Sequence, residues 1–261
     1  MASYASYKRI QSSTQILDGT IPLSALESNS GPRMNVLYVY GSPGSCSSGC
    51  CCLWTVPAGV KRAKFELWGA GGNGNGACSC GRCQHYHGAQ GGYYASKTIS
   101  VNCGWTYTIC AGGVYPCFSV ECVACNGCAS YVTGCNLSGF CAFGGNPGCG
   151  NSAWTEACFS DWGNCCISPT FGGSDFAMGN HIGAAAGDWV CHCYRQEFCT
   201  TGAPFLSSGS HGFLGFCWIR CGCWSVPYGS GGQSAMTSYC GSGACGQGGT
   251  GGSGLVKITY V

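Results

Sequence analysis

Glycine and cysteine constrain this chain more than any other feature, with 47 and 27 of its 261 residues. Glycine loses more backbone entropy on folding than any other residue, and fixing one backbone costs roughly 1–2 kcal/mol, so a glycine-rich interior needs an offsetting constraint. Leu, Ile, Val, Phe and Met are scarce, and the hydrophobic fraction of 45% is ordinary only because cysteine is counted in it. Closing a loop of about 15 residues with a disulfide is worth on the order of 3 kcal/mol in the chain-entropy model. Disulfides are therefore the expected substitute for a missing aliphatic core. The candidates are Cys50, Cys51, Cys52, Cys103, Cys110, Cys117, Cys122, Cys125, Cys128, Cys165, Cys166, Cys191, Cys193, Cys221 and Cys223. In an extended strand alternate residues share a face and neighbours point oppositely, so adjacent cysteines such as Cys50, Cys51 and Cys52 would reach different partners. Because 27 is odd, a monomer leaves at least one thiol unpaired or joined to another chain.

Only 8% of residues are charged, net +2, and the one tight basic group is Lys61, Arg62 and Lys64, too small a phosphate-neutralising surface for a nucleic-acid partner. Residues Met1 to Ser30 hold Lys8, Arg9, Asp18 and Glu27 among polar residues and no apolar signal core, and no later stretch is long and apolar enough for a membrane helix. The expectation is synthesis in a cytosol without membrane insertion. Cytosolic synthesis and abundant cysteine are reconciled either by release into an oxidising medium on lysis or by metal loading inside the cell.

Alternation of apolar and polar residues predicts strands at Val36 to Tyr40, Lys64 to Trp68, Tyr93 to Val101, Thr106 to Cys110 and Leu255 to Val261, and no helix. The expected fold is all-β: a small sandwich framed by N- and C-terminal strands lying in one sheet, with a long glycine- and cysteine-rich, disulfide-braced loop region between them. Residues 1–33, free of cysteine, read as a polar N-terminal arm, and 34–261 as the β domain.

The run Trp54 to Gly72 with its Val-Pro-Ala-Gly-Val turn and Trp-Gly-Ala-Gly-Gly strand end, the segment Gly91 to Gly113 with Tyr107-Thr108-Ile109, and the ending Gly251 to Val261 resemble the glycine-rich domain of bacteriophage tail-fibre adhesins and related virion structural proteins. The resemblance spans Trp54 to Val261. It implies a small sandwich, glycine-rich segments stacked as polyproline-II-like helices, and distal loops that touch a host receptor. Residues 1–33, with Asp18-Gly19-Thr20-Ile21, resemble the leading segments of phage fibre proteins, which implies docking to other virion proteins. Cysteines and aromatics stand where members of that family keep glycine, which implies loops held by disulfides. The function implied is a non-enzymatic virion protein on the particle surface, a homo-oligomeric tail-fibre or fibre-tip adhesin binding a host-surface glycan or protein. The alternatives are a capsid decoration or cement protein and an intracellular metal-binding cysteine-rich protein.

Several motifs carry competing chemistry. Gly69-Ala70-Gly71-Gly72-Asn73-Gly74 matches G-x-G-x-x-G after a strand, yet Asn75 to Gly81 make a poor helix and no ribose-binding acid appears before Glu121. Cys78, Cys80, Cys83, His85 and His87 would suit zinc in the metal-binding alternative, against the plainer reading of a loop with disulfides and exposed histidines. Cys122, Cys125 and Cys128 have an iron–sulfur spacing, with Cys135 as a conceivable fourth ligand, though such spacings arise by chance among so many cysteines. No G-x-S-x-G elbow, H-E-x-x-H or P-loop lysine is present, so the chain is expected to be no enzyme and to need no cofactor. Trp154, Trp162, Trp189, Tyr194 and Trp224 are receptor-contact candidates, since flat rings with a polar handle suit saccharide and protein surfaces; the plainer alternative is that they fill the core.

Alkylating thiols before reduction, with native mass spectrometry as the readout, is expected to label few cysteines and to find no bound metal. Many labels together with a zinc or iron mass would instead favour the metal-binding alternative.

Overall fold

A computed structural model describes residues 34–42, 50–74, 77–78, 89–114, 125–148, 174–178, 185–186, 198–200, 211–213, 228–232, 245–246 and 248–261. Among these residues there are strands and no helix: β1 (Asn35–Tyr40), β2 (Cys50–Thr55), β3 (Arg62–Trp68), β4 (Ala77–Cys78), β5 (Tyr94–Ser100), β6 (Thr106–Ala111), β7 (Ser130–Gly134), β8 (Leu137–Ala142), β9 (Phe176–Met178), β10 (Ala185–Ala186), β11 (Phe198–Thr200), β12 (His211–Phe213), β13 (Cys245–Gly246) and β14 (Leu255–Tyr260). A five-stranded sheet in the order β1-β14-β3-β5-β9 faces a four-stranded sheet in the order β2-β6-β7-β8, and every pairing is antiparallel. A three-stranded sheet β10-β11-β12 and the pair β13-β4 complete the described strands.

The sandwich forms because alternate residues of each strand are apolar. Ala63, Phe65 and Leu67 of β3, with Val39, Ala95, Val256 and Ile258 from its neighbours, meet Trp54, Tyr107, Ile109, Val132, Leu137 and Phe140 of the opposing sheet. At the centre the Trp54, Phe65 and Tyr107 rings touch pairwise with centroids 5.4–5.9 Å apart, in tilted and edge-on geometries favoured by the ring quadrupole. The all-β sandwich with terminal strands side by side is thus as expected: β1 pairs with β14, and β14 with β3.

The two ends of the sandwich differ. At one end, the turn pole, the connections are short. Pro57-Ala58-Gly59-Val60 is a turn closed by Val60 N–H donating to Pro57, and Asn102-Cys103-Gly104-Trp105 one closed by Trp105 to Asn102; Gly59 and Gly104 take φ of 85° and 81°, the left-handed position of a type II turn. Cys135-Asn136 joins β7 to β8 at this same end. Met34 and Val261 lie there too, because Asn35 pairs with Tyr260. At the opposite end, the bundle pole, the chain leaves the sheets as extended glycine-rich segments.

Residues 69–74 donate their amides in rotation: Gly69 to Tyr93, Ala70 to Cys128, Gly71 to Gly252, then Gly72 to Gln90, Asn73 to Cys125 and Gly74 to Gly249. Each neighbour recurs at every third residue with its acceptor three positions earlier, so the segment repeats every three residues and these neighbours run antiparallel to it. A three-residue repeat whose hydrogen bonds all go outward is the pattern of a polyproline-II helix. Gly145 and Gly148 donate to the Ala70 and Asn73 carbonyls, and Gly232 to Gly72, which brings in two more segments. Further bonds link 125–129 to 143–148, 143–148 to 89–93, 89–93 to 228–232, 228–232 to 248–254, and 112–114 to both 248–254 and 125–129. Six segments therefore ring the central one.

Glycine is required here for close approach rather than for φ, since of the bundle glycines only Gly229 is left-handed. A Cβ on Gly69 or Gly72 would strike the carbonyls of Phe143 or Asn146, three residues apart like the glycines themselves, and one on Gly144 would strike the Gly127 carbonyl. The hydrogen that replaces each Cβ points at the carbonyl oxygen, a weak Cα–H···O contact repeated through the bundle.

Backbone hydrogen bonds join the described glycine-rich segments to one another, and most of the loops expected to be held by disulfides lie outside the described residues. The disulfide among the described residues, Cys51–Cys110, instead crosses between paired β2 and β6. Cys52 points to the other face and packs on the core. Cys103, offered as a disulfide candidate, is an exposed free thiol because the type II turn carries it outward into solvent; Cys135 is a second one, and Cys141 a half-buried one whose thiol burial pushes up. Cys125 and Cys128 are half-buried on the bundle, and Cys50 lies in β2. Cys117, Cys122, Cys165, Cys166, Cys191, Cys193, Cys221 and Cys223 lie outside the described residues.

Gly72→Ala and Gly59→Ala separate close approach from φ. Gly59→Ala, with open space around it, is expected to cost about 1–2 kcal/mol for the left-handed backbone alone. Gly72→Ala must displace backbone and should lower the denaturation midpoint further in the same titration.

Candidate interaction surface

The chain ends at the bundle pole decide what this pole carries. Residues 69–74 lead outward into 75–88 and 89–93 lead back; 112–114 and 125–129 bracket 115–124, and 228–232 and 248–254 bracket 233–247. Beyond the bundle, β4 pairs with β13, placing Cys78 opposite Cys245 and so joining the first and last of these connections. The 143–148 segment runs outward beside 69–74 and leads into 149–173. Trp154 and Trp162 belong to that connection and Trp189, Tyr194 and Trp224 to 179–227; all five lie outside the described residues, as do Cys80, Cys83, His85 and His87.

The G-x-G-x-x-G run does not cradle phosphate. All six of its amides are donated within the bundle, so the backbone donors that a dinucleotide phosphate needs are already used. Cys135 stands at the turn pole beside Thr106, with the length of β7 between it and the bundle that holds Cys125 and Cys128; it cannot complete an iron–sulfur set with them. Among the described residues no group of three or more metal-ligating side chains converges, and no helix is long and apolar enough to cross a membrane.

Among the described residues, the outer face of the five-stranded sheet holds a charge cluster. Lys64, Glu66 and Trp68 alternate with the core residues of β3 and so point away from them. Glu66, buried, accepts from Lys64 Nζ and Lys257 Nζ at 3.0 Å each and from the Tyr94 hydroxyl at 2.9 Å. Burial alone would raise its carboxyl, but hydrogen bonds from Lys64, Lys257 and Tyr94 and the Lys257 charge outweigh that and hold it below its ordinary value. Tyr94 is pushed up to about 12, chiefly by burial, and further by its bond to Glu66 and that charge. A carboxylate with three donors is held ionised and structural rather than poised to exchange protons.

Aromatic rings flank this cluster. Tyr94 sits between Trp68 and Phe176, at 4.9 and 5.9 Å. On β1 the exposed Tyr38 and Tyr40 rings lie nearly parallel, and Tyr40 stacks on exposed Tyr228 at 5.2 Å, giving an uncharged tyrosine strip along the sheet edge.

No family model and no curated protein matches the chain. The surface must be read from its own chemistry: a satisfied acid, exposed tyrosines, and a pole of converging chain ends.

Sequence reasoning missed the polar side chains that tie the bundle together. Ser130 Oγ donates to the Trp68 carbonyl at 2.6 Å and accepts from Gly112 N–H, Asn73 Oδ1 accepts from Gly251 N–H, and Gln90 Oε1 from Asn146 N–H. All three side chains are buried, and a polar residue interrupting a glycine run, as Asn73 does, was the available signal.

Replacing Glu66 by Gln keeps the shape and removes the charge. It is expected to cost about 1–2 kcal/mol at pH 7, the charged hydrogen bonds being discounted for the partial exposure of both lysines. Because the folded-state value is lowered, this stability is present above the ordinary value of 4.5 and is lost as pH falls through the lower folded one. Melting curves of the two proteins should therefore converge as the pH drops below about 4.

Proposed function

We propose that this chain is a non-enzymatic bacteriophage virion protein, a tail-fibre or fibre-tip adhesin. One observation carries the reading: the molecule is bipolar. Residues 1–33 enter at the turn pole through Met34, whereas the connections rich in cysteine and aromatic residues depart from the opposite, bundle pole. Such a body is suited to holding a particle at one end and offering long connections at the other. The polyproline-II-like bundle supports the same reading, because an array of backbone hydrogen bonds supplies a rigid base whose upkeep does not depend on loop sequence.

Low charge favours contact through many shallow neutral interactions, strengthened by repeated copies on one particle. In this reading the arm meets other virion proteins and the bundle-pole loops meet a host-surface glycan or protein.

The full chain is expected to bind host cells saturably, and Trp154→Ala or Trp162→Ala to weaken binding at least tenfold without changing the melting temperature, as for an aromatic anchor. Image reconstruction of particles should place the protein on the tail. Location on the shell together with no cell binding would replace this reading by that of a capsid decoration protein.

A further inference from the structure

Cys103 and Cys135 are free, exposed thiols, and the fold brings both to one edge of the turn pole. Val56 N–H donates to the Trp105 carbonyl and Gly104 N–H to the Val56 carbonyl, so the Asn102-Cys103-Gly104-Trp105 turn prolongs the β2–β6 ladder beyond Thr55 and Thr106. Cys135 follows Gly134 of β7, which pairs with Tyr107 of β6, and its thiol lies 3.9 Å from the Thr106 carbonyl. The two turns are therefore neighbours at the same end of the four-stranded sheet, with Thr106 between them.

Both turns are held by bonds that leave the sulfurs outside. The Asn136 side chain accepts from the Tyr107 hydroxyl at 2.7 Å and donates to the Ser100 carbonyl at 2.9 Å, which pins the residue next to Cys135 to the ends of β6 and β5. The Cys103 turn is fixed by its own closing bond and by the two bonds to Val56. Apolar surface adjoins the pair: Met34, at this pole, is 70% exposed, and Leu53, two residues from the turn-pole end of β2, is 68% exposed. Thiols this accessible are the ones that exchange with outside disulfides, and apolar side chains beside them suit a protein partner. Every copy of the chain carries the same two thiols in the same place, so two turn poles related by a two-fold axis present matching sulfurs to each other. An odd total of 27 cysteines already requires that one thiol in each chain find no partner within it.

We propose that the turn pole is a covalent self-association site, where disulfides through Cys103 and Cys135 join one copy of the chain to a second copy. The oxidant is a small-molecule disulfide. A thiolate of one copy attacks it, forming a mixed disulfide and releasing one small thiol; a thiolate of the second copy then attacks the protein sulfur of that mixed disulfide and releases the other. Two protein thiols thereby lose two protons and two electrons, and the small disulfide is reduced to two thiols. The site goes beyond the attachment reading and does not depend on it, since it concerns contact between copies rather than contact with a cell.

The test mixes equal amounts of full-length chain with natural and with nitrogen-15-enriched isotopes, adds oxidised glutathione, and reads covalent size by intact mass and cross-linked peptides after digestion. Covalent multimers that collapse on reduction are expected, with Cys103 or Cys135 in peptides that join a light to a heavy chain. The double variant Cys103→Ser, Cys135→Ser is expected to lower the multimer yield at least tenfold at unchanged melting temperature, and Cys141→Ser, at a half-buried position, to leave it unchanged. Absence of multimers, multimers that persist in the double variant, or Cys103 and Cys135 found only in peptides of a single isotope would overturn the site. The isotope mixture reads the unsubstituted chain and so decides the question even where a variant fails to fold.

Discussion

The whole architecture depends on the approach of a glycine Cα to a carbonyl oxygen of the next segment. Where a methyl group would collide, the backbones of 89–93, 125–129 and 248–254 come close enough to 69–74 for every amide of the central segment to find an acceptor. In the described segments the entropy cost of dense glycine is offset by a hydrogen-bond lattice. Each polyproline-II-like segment lacks internal hydrogen bonds and is unstable alone, so the segments are stable only as an assembly, and the sandwich is what brings their ends together.

The sandwich and the bundle share their boundary residues. Trp68 ends β3, and its carbonyl accepts from Ser130, which in turn accepts from Gly112 at the head of another segment. Gly254, just before β14, donates to the Gly112 carbonyl and accepts from Gly41 just after β1. The register of the strands therefore sets the phase of the bundle. A slip of one residue in β14 would turn Val256 and Ile258 out of the core and shift Gly249 and Gly252 off their donors at the same time.

Legibility in the sequence followed the strength of alternation. β1, β3, β5, β6 and β14 were readable because β-branched and aromatic residues alternate there with polar ones. β2 was hidden because Cys50-Cys51-Cys52 reads as a disulfide block before it reads as a strand. The β7–β8 hairpin was hidden because Gly134 and Gly139 dilute the pattern; Gly134 is needed where a Cβ would meet the Tyr107 ring. The Cys51–Cys110 pair required the β2–β6 register, which no spacing reveals. The bundle was not visible through periodicity, since neighbours are fixed by pairing across distant segments and no single segment repeats strictly. The Glu66 cluster was illegible for the same reason: Tyr94 and Lys257 reach it only through the order of the sheet.

The position of Met34 has a mechanical meaning. A pull applied at Met34 and opposed at the bundle pole would act along the axis of β1, at opposite ends of the same strand. The β1–β14 hydrogen bonds, from Asn35–Tyr260 to Tyr40–Leu255, lie across that axis, so tension loads them in shear and they must yield together rather than unzip singly. A force applied at Met34 along the β1 axis would thus meet the molecule in its most resistant direction.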